Sequence, residues 1–210
     1  MRIDFHDIPI DLLSEKAVFL PSSECLIISD VHIGKTLDLQ REGVRVPAIA
    51  ATQNEKRISN LLTVHSPKTC YFLGDLFHYR HNSEFDSIKR IVRKHPSTKF
   101  VLIKGNHEIL KDTTYEDLGL HLADEDRIDG IVLRHHPMMD SEAPSLSGHI
   151  HPKVRLSGRG RESMARPVFA IHGACMVLPA FGALTGGHKI NPKEYSEVYV
   201  VASDEVIRMK

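Results

Sequence analysis

The segment Cys25-Leu26-Ile27-Ile28-Ser29-Asp30-Val31-His32 is a four-residue apolar run that ends in a serine and then offers an acid and an imidazole two positions apart. The same figure recurs further along. Cys70-Tyr71-Phe72-Leu73 runs into Gly74-Asp75-Leu76-Phe77-His78, and Phe100-Val101-Leu102-Ile103 is followed by Gly105-Asn106-His107-Glu108. Uninterrupted apolar runs of this length predict strands buried on both faces. Between the first two, Pro47 precedes a helical stretch with Ile58, Leu61 and Leu62 at helix spacing. Between the second and third, Ser83 and Asp86 make a capping box ahead of Phe85, Ile88, Ile91 and Val92. The order β-α-β-α-β predicts a largely parallel sheet with its chemistry at the carboxyl ends of the strands.

Working outward, Ile131-Val132-Leu133 is a fourth run and leads to Arg134-His135-His136-Pro137, after which comes Gly148-His149-Ile150-His151. From Arg166 onward the pattern becomes strand-rich, with candidates at residues 168–171, 176–178, 198–201 and 206–207. A second sheet packed on the first gives an α/β sandwich with helices outside. No internal repeat, low-complexity tract or interdomain linker interrupts the 210 residues, so one catalytic domain over 1–210 is expected.

Composition narrows the function classes. With 27 basic and 27 acidic residues the formal charge is zero, and no overall field draws the chain to nucleic acid or an anionic membrane. Any nucleic-acid contact is therefore local. The N-terminal residues lack the basic-then-apolar pattern of a signal peptide, and no apolar run reaches membrane-spanning length, so a soluble, cytoplasmic protein is expected. Cys25, Cys70 and Cys175 are far apart, odd in number and set among apolar neighbours, which predicts free core thiols rather than disulfides. Fourteen histidines, many of them at predicted strand ends, point instead to metal or acid–base chemistry.

In Asp30/His32 and His149/His151 a spacing of two lets both side chains point the same way from an extended segment, so that one ion is gripped by both. Imidazole, carboxylate and amide oxygen together suit manganese, iron or zinc, and the absence of a cysteine ligand argues against a structural zinc site. Each short motif alone has an ordinary reading as a turn or partly exposed strand. Their joint occurrence in order, each after an apolar run or in a glycine-marked turn, favours the metal reading.

The ordered pattern Asp-x-His, Gly-Asp-x-x-His, Gly-Asn-His-Glu, His and Gly-His-x-His, over residues 25 to 151, resembles the calcineurin-like metallophosphoesterase superfamily. That resemblance implies a four-layer α/β/β/α sandwich and two metal ions. Asp30, His32 and His151 would hold one ion, Asn106, His135 and His149 the other, and Asp75 would bridge them. His135 is preferred over His136 because it ends the apolar run, whereas His136 precedes Pro137. His107 would contact the phosphate and stabilise or protonate the leaving oxygen, with His78 as the second candidate for that role. Glu108 would support His107 or cap a turn.

A narrower likeness rests on His32-Ile33-Gly34-Lys35, on the Arg41 to Pro47 segment REGVRVP, on His149-Ile150-His151-Pro152, and on LPAFGALTGG at residues 178–187. These are similar to the bacterial ligase-associated DNA-damage-response endonucleases of the PdeM type. The likeness implies manganese-dependent phosphodiester cleavage in DNA during repair, in association with a DNA ligase and a helicase. Flexible single-stranded DNA can bend a phosphate into a recessed site more readily than a stiff duplex, so an endonuclease acting on single strands is expected.

Lys153, Arg155, Arg159, Arg161 and Arg166 could meet a nucleic-acid backbone, or form a solvated hairpin; Arg41 and Arg45 are further phosphate candidates. The acidic run Glu116, Asp117, Asp124, Glu125, Asp126 and Asp129 is expected to face solvent. Gly34-Lys35-Thr36 lacks the upstream glycine of a nucleotide P-loop. The alternatives to a nuclease are a phosphatase or cyclic-nucleotide phosphodiesterase acting on small molecules, and a metal-poor scaffold.

Overall fold

A computed structural model describes residues 1–47, 49–78, 83–157 and 163–210. Seven strands form the first sheet in sequence order: β1 (Arg2–Phe5), β2 (Ile8–Leu13), β3 (Ala17–Leu20), β4 (Cys25–Ile28), β5 (Thr69–Leu73), β6 (Lys99–Ile103) and β7 (His121–Ala123). From β4 to β7 the pairing is parallel, with Ile27 opposite Tyr71 and Phe72 opposite Leu102. Helices α1 (Lys35–Arg41), α2 (Ile49–His65), α3 (Asp86–Lys94) and α4 (Asp112–Glu116) lie between these strands in the chain.

The three apolar runs are strands, and their lack of alternation has a cause. Cys25, Ile27, Tyr71, Leu73, Val101 and Ile103 face the core between the sheets, whereas Leu26, Ile28, Phe72 and Leu102 face Ile58, Leu61 and Leu62 of α2 and Ile88 and Ile91 of α3. Both faces are buried, so both are apolar. The capping box is not formed among the described residues: Ser83–Phe85 is a 3-10 turn that runs directly into α3, and Phe85, whose side chain has no hydrogen-bonding group, stands at the N-cap. The antiparallel strands β1 to β3 extend the sheet beyond the parallel core and bury Ile3, Phe5, Ile10 and Leu12.

The second sheet contains β8 (Glu125–Ile128), β9 (Ile131–Arg134), β10 (Ser145–Ser147), β11 (Pro152–Ser157), β12 (Ser163–His172), β13 (Cys175–Val177), β14 (His188–Lys189), β15 (Glu197–Ala202) and β16 (Glu205–Arg208). Its main path runs β14-β11-β12-β13-β10-β9-β8, and β15 joins β12 to β16. Phe169, Ile171, Met176, Tyr199 and Val201 turn toward the first sheet, while Val168, Ala170, Val198 and Val200 pack outward with Val154 and Ile190. The strand-rich second half is therefore a packed sheet, begun earlier than Arg166 by β8 to β11. All three cysteines are free and buried. Among the described residues no helix is long and apolar enough to cross a membrane.

Candidate metal centre

The polar ends of β4, β5, β6 and β9 meet the turn before β11 at one end of the sandwich. Beyond β4 and β5 the two chains stay paired, the N–H of His32 donating to the Asp75 carbonyl at 3.0 Å and that of Ile33 to the Leu76 carbonyl at 2.8 Å. The strands do not simply continue. Asp30 (φ 54°), His32 (53°), Asp75 (48°), His149 (69°) and His151 (53°) all lie in the left-handed region. The expected extended segments at 30–32 and 149–151 are thus kinked turns, and the side chains converge through left-handed residues rather than strand alternation. Such conformations cost on the order of 1–3 kcal/mol each and gather where function requires them.

Asp30 is fully buried and Asp75 is 2% exposed. Asp30 Oδ2 accepts a hydrogen bond from Ser29 Oγ at 2.5 Å, and both its oxygens lie 3.1–3.2 Å from the His149 N–H. Gly148 makes this approach feasible, because a Cβ there would fall 1.8 Å from Ser29 Oγ and 2.4 Å from Asp30 Oδ2. Around Asp30 stand His32, Asp75 and His151, whose ligand atoms with those of Asp30 lie within 4.8 Å of one another; His151 Nε2 is 3.0 Å from Asp30 Oδ1.

On the other side Asn106 Oδ1 lies 3.0 Å from His135 Nε2 and 3.1 Å from His149 Nδ1, and these two ring nitrogens are 3.2 Å apart. Asp75 stands between the groups, with Oδ1 3.5 Å from His135 Nε2 and Oδ2 4.0 Å from His32 Nε2. The structure therefore gathers Asp30, His32, Asp75, Asn106, His135, His149 and His151 at one place. His135 is 2% exposed and its Nδ1 is 2.9 Å from the Leu73 carbonyl, whereas His136 is exposed and its ring lies tilted, 4.3 Å from the His149 ring. His136 Nδ1 or Nε2 could join His135 and His149 in holding an ion. His78 and His107 form a third group with His32, the His32 and His107 rings being 4.9 Å apart.

Electrostatics favour ligation. His32 is 6% exposed, and among the described residues neither of its ring nitrogens has a hydrogen-bond partner. Burial, then the neighbouring His151, His107, Lys35 and His78, pulls its pKa down to about 2. Burial likewise lowers His78, His107, His136 and His149 below the usual imidazole value. Neutral rings in a buried cluster beside carboxylates present lone pairs without a proton to displace, which fits a transition-metal ion.

Two supports surround the centre. Glu108 caps the Asp75 turn: Oε2 accepts from the N–H of Asp75 at 2.9 Å and Gly105 at 2.8 Å, and Oε1 from Leu76 at 3.0 Å and Phe77 at 3.3 Å. Burial, opposed by these donors and aided by the charge of Asp75, pushes its pKa up to about 7. The second support has no local sequence signal. The N–H groups of Phe181 and Gly182 donate to the carbonyls of Ser29 and Asp30 at 2.9 and 3.1 Å. Lys16 Nζ donates to the Ala180 carbonyl at 2.6 Å, and Arg57 Nη1 to that of Phe181 at 2.8 Å. Asn54 accepts the Ala183 N–H and donates to the Val31 carbonyl. Gly182 allows the close pass, since a Cβ would sit 2.4 Å from the Val31 oxygen. Residues 180–183 thus form a strap over the Asp30 turn.

Of the weaker candidates, Arg159 and Arg161 lie outside the described residues. Arg155 is exposed and bonded to Ser163, and Arg41 pairs with Asp38, so neither is committed to the centre. The acidic run is largely exposed, with Asp126 accepting from Tyr71 at 2.7 Å and Glu125 pairing with Arg134.

A two-sheet α/β sandwich that collects histidines, aspartates and an asparagine at its strand ends defines a metal-dependent phosphoesterase. The chain belongs to the calcineurin-like phosphoesterase family, whose pattern matches residues 25–174. Among solved structures, the Pseudomonas putida nuclease MPE is 28% identical with a TM-score of 0.80, over 100% of this chain and 99% of that one. Yfce, a phosphoesterase from E. coli, is 13% identical with a TM-score of 0.47, over 87% of this chain and 96% of that one. No curated protein matches the sequence significantly.

Proposed function

We propose that the chain is a single catalytic unit over residues 1–210, a phosphodiesterase that uses two divalent ions, manganese foremost, to cut single-stranded DNA internally in DNA repair. One observation carries the two-ion reading: the Asp75 carboxylate turns one oxygen toward His32 and the other toward His135. Asp30, His32 and His151 would hold one ion and Asn106, His135 and His149 the other, with Asp75 shared. The chemistry such ions supply when bound is a water acidified toward neutrality and neutralisation of phosphate charge in an in-line displacement. Asp30 and Asp75 offset the ions' charge, and Glu108 fixes the turn from which Asp75 projects. His107, whose backbone N–H donates to Asp75 Oδ1 at 3.0 Å, would stabilise or protonate the leaving oxygen, with the His78 ring stacked beside it as the second candidate.

The nuclease part of the reading is supported by the full-length similarity to the Pseudomonas putida nuclease MPE. Association with a ligase and a helicase, and action in the cytoplasm, belong to the same proposal. A closed circle of single-stranded DNA has no ends and tests internal cleavage directly. With manganese the circle should become linear and then fragment, while an intact duplex is cut more slowly. A circle that survives while a monoester or cyclic nucleotide is turned over rapidly would replace this reading with a small-molecule phosphoesterase.

A further inference from the structure

Next to the centre a groove of about 560 Å³ begins at His149 and runs past His188, Lys189 and Asn191 to Tyr195. Its volume falls within the range of about 300–1,000 Å³ usual for small-molecule sites. The groove is continuous with the candidate ligands through the backbone, because the His188 N–H donates to the His151 carbonyl at 3.0 Å. Parallel pairing of β14 with β11 sets Lys189 in register with Lys153, and of the two Lys189 lines the groove. Among the described residues neither lysine forms a salt bridge. The groove's acid, Glu194, accepts from Asn191 Nδ2 at 3.0 Å, so part of its hydrogen-bonding capacity is already used. Ile190, 6% exposed, and the half-buried Ile150 contribute apolar surface, and Tyr195 packs against the same outer cluster. Its ring stands edge-on to His172 at 6.1 Å.

A cationic rim, an apolar base and an aromatic ring leading away from a phosphate-cleaving centre match one chemical class of ligand. We propose that this groove seats an unpaired nucleotide of the DNA strand next to the phosphate being cut, its backbone phosphate at Lys189 and its base on Tyr195. The inference rests on the nuclease reading and adds the subsite. A base in a duplex is stacked and paired, so the groove admits it only after unstacking, whereas a single strand offers it freely. A small diester reaches the centre, at the His149 end, without extending to Lys189 or Tyr195.

The test compares Lys189→Glu and Tyr195→Leu with the wild type in three assays at equal thermal stability. These are cleavage of a single-stranded oligonucleotide, hydrolysis of bis(p-nitrophenyl) phosphate, and anisotropy binding of a phosphorothioate-linked oligonucleotide. Each variant should raise KM for the oligonucleotide about fivefold or more, the loss expected from one base stack or phosphate contact, and weaken binding alike. Hydrolysis of the small diester should stay within about twofold. Lys189→Glu should also flatten the dependence of log affinity on log salt by about 0.7, the single-strand value for one phosphate contact. Lys189, exposed on its strand, keeps the test valid should Tyr195→Leu fold poorly. Variants that bind the oligonucleotide like the wild type, or that lose both substrates equally, overturn the groove. A wild type that hydrolyses only the small diester overturns the nuclease reading instead, and the binding arm then judges the groove separately.

Discussion

Replacing Glu108 tests whether the Asp75 turn is held from outside. Its carboxylate accepts four backbone N–H groups at 2.8–3.3 Å, from Asp75, Leu76, Phe77 and Gly105. Alanine removes every acceptor. A hydrogen bond to a charged group contributes roughly 1.5–3 kcal/mol, and a buried donor left unsatisfied costs about 1–3 kcal/mol. Asp75, Leu76 and Phe77 are 0–2% exposed, so water reaches at most the Gly105 donor, and the four bonds are not additive. A loss of about 3–5 kcal/mol is expected for Glu108→Ala, a large share of the roughly 5–15 kcal/mol typical of a domain. Glutamine keeps one oxygen and so two of the four bonds, but turns an NH2 toward the other two donors; about half that loss is expected. Activity should fall further than stability suggests, since a shift of about 1 Å in a reacting group can cost about a hundredfold in rate. Urea denaturation of the metal-stripped protein gives the stability, and manganese titration with turnover of a small diester gives the consequence for Asp75. An alanine variant within about 1 kcal/mol of wild type and fully active would show that the turn holds itself and that the capping argument is wrong.

Asp75→Ala should lower manganese stoichiometry and activity more than any other single ligand change, and elemental analysis checks it; full activity with one ion per chain under saturating metal would sink the two-ion reading. His107→Ala should reduce turnover about a hundred- to ten-thousandfold while metal content stays nearly intact, and metal lost in step with activity would move His107 into the ligand set. His32 predicts an acid sensitivity. Its folded value of about 2 lies below the roughly 6.5 of the unfolded chain, so its stabilising contribution is present above about pH 6.5 and is lost as the pH falls. Between pH 7 and 5 that amounts to about 2 kcal/mol. Glu108, raised to about 7, acts in the opposite sense across this whole window, so the quantity to measure is wild type minus His32→Asn, both stripped of metal. A difference that does not shrink toward pH 5 would contradict the burial argument.

The parallel half of the first sheet and the set of chemical groups were legible because both are local. Cys25–Ile28, Thr69–Leu73 and Lys99–Ile103 are apolar on both faces, and each hands directly to its polar motif. The N-terminal strands carry a short signal too, the alternation of Ile3 with Phe5 and of Ile10 with Leu12, but the charged residues Arg2, Asp4 and Asp11 keep it from forming an apolar run. Ser145–Ser147 is fully buried yet only one of its three residues is apolar, so β10 gives no pattern of its own. The backbone at Asp30 and His32 could not be read from a spacing of two, because extended and left-handed chains can both bring the side chains together. Least legible was the grip of Lys16 and Arg57 on the carbonyls of residues 180–182. Those bonds span 164 and 124 positions and end on backbone oxygen, which leaves no trace in the side-chain pattern.

That strap has a temporal consequence. Every proposed ligand has been synthesised once His151 is made, but the partners of the Ser29 and Asp30 carbonyls come about thirty residues later, with Phe181 and Gly182. A nascent chain halted between these points holds a complete list of ligands on an untied first turn. Hydrolytic competence is then expected to emerge late in synthesis, when the second sheet closes over the first.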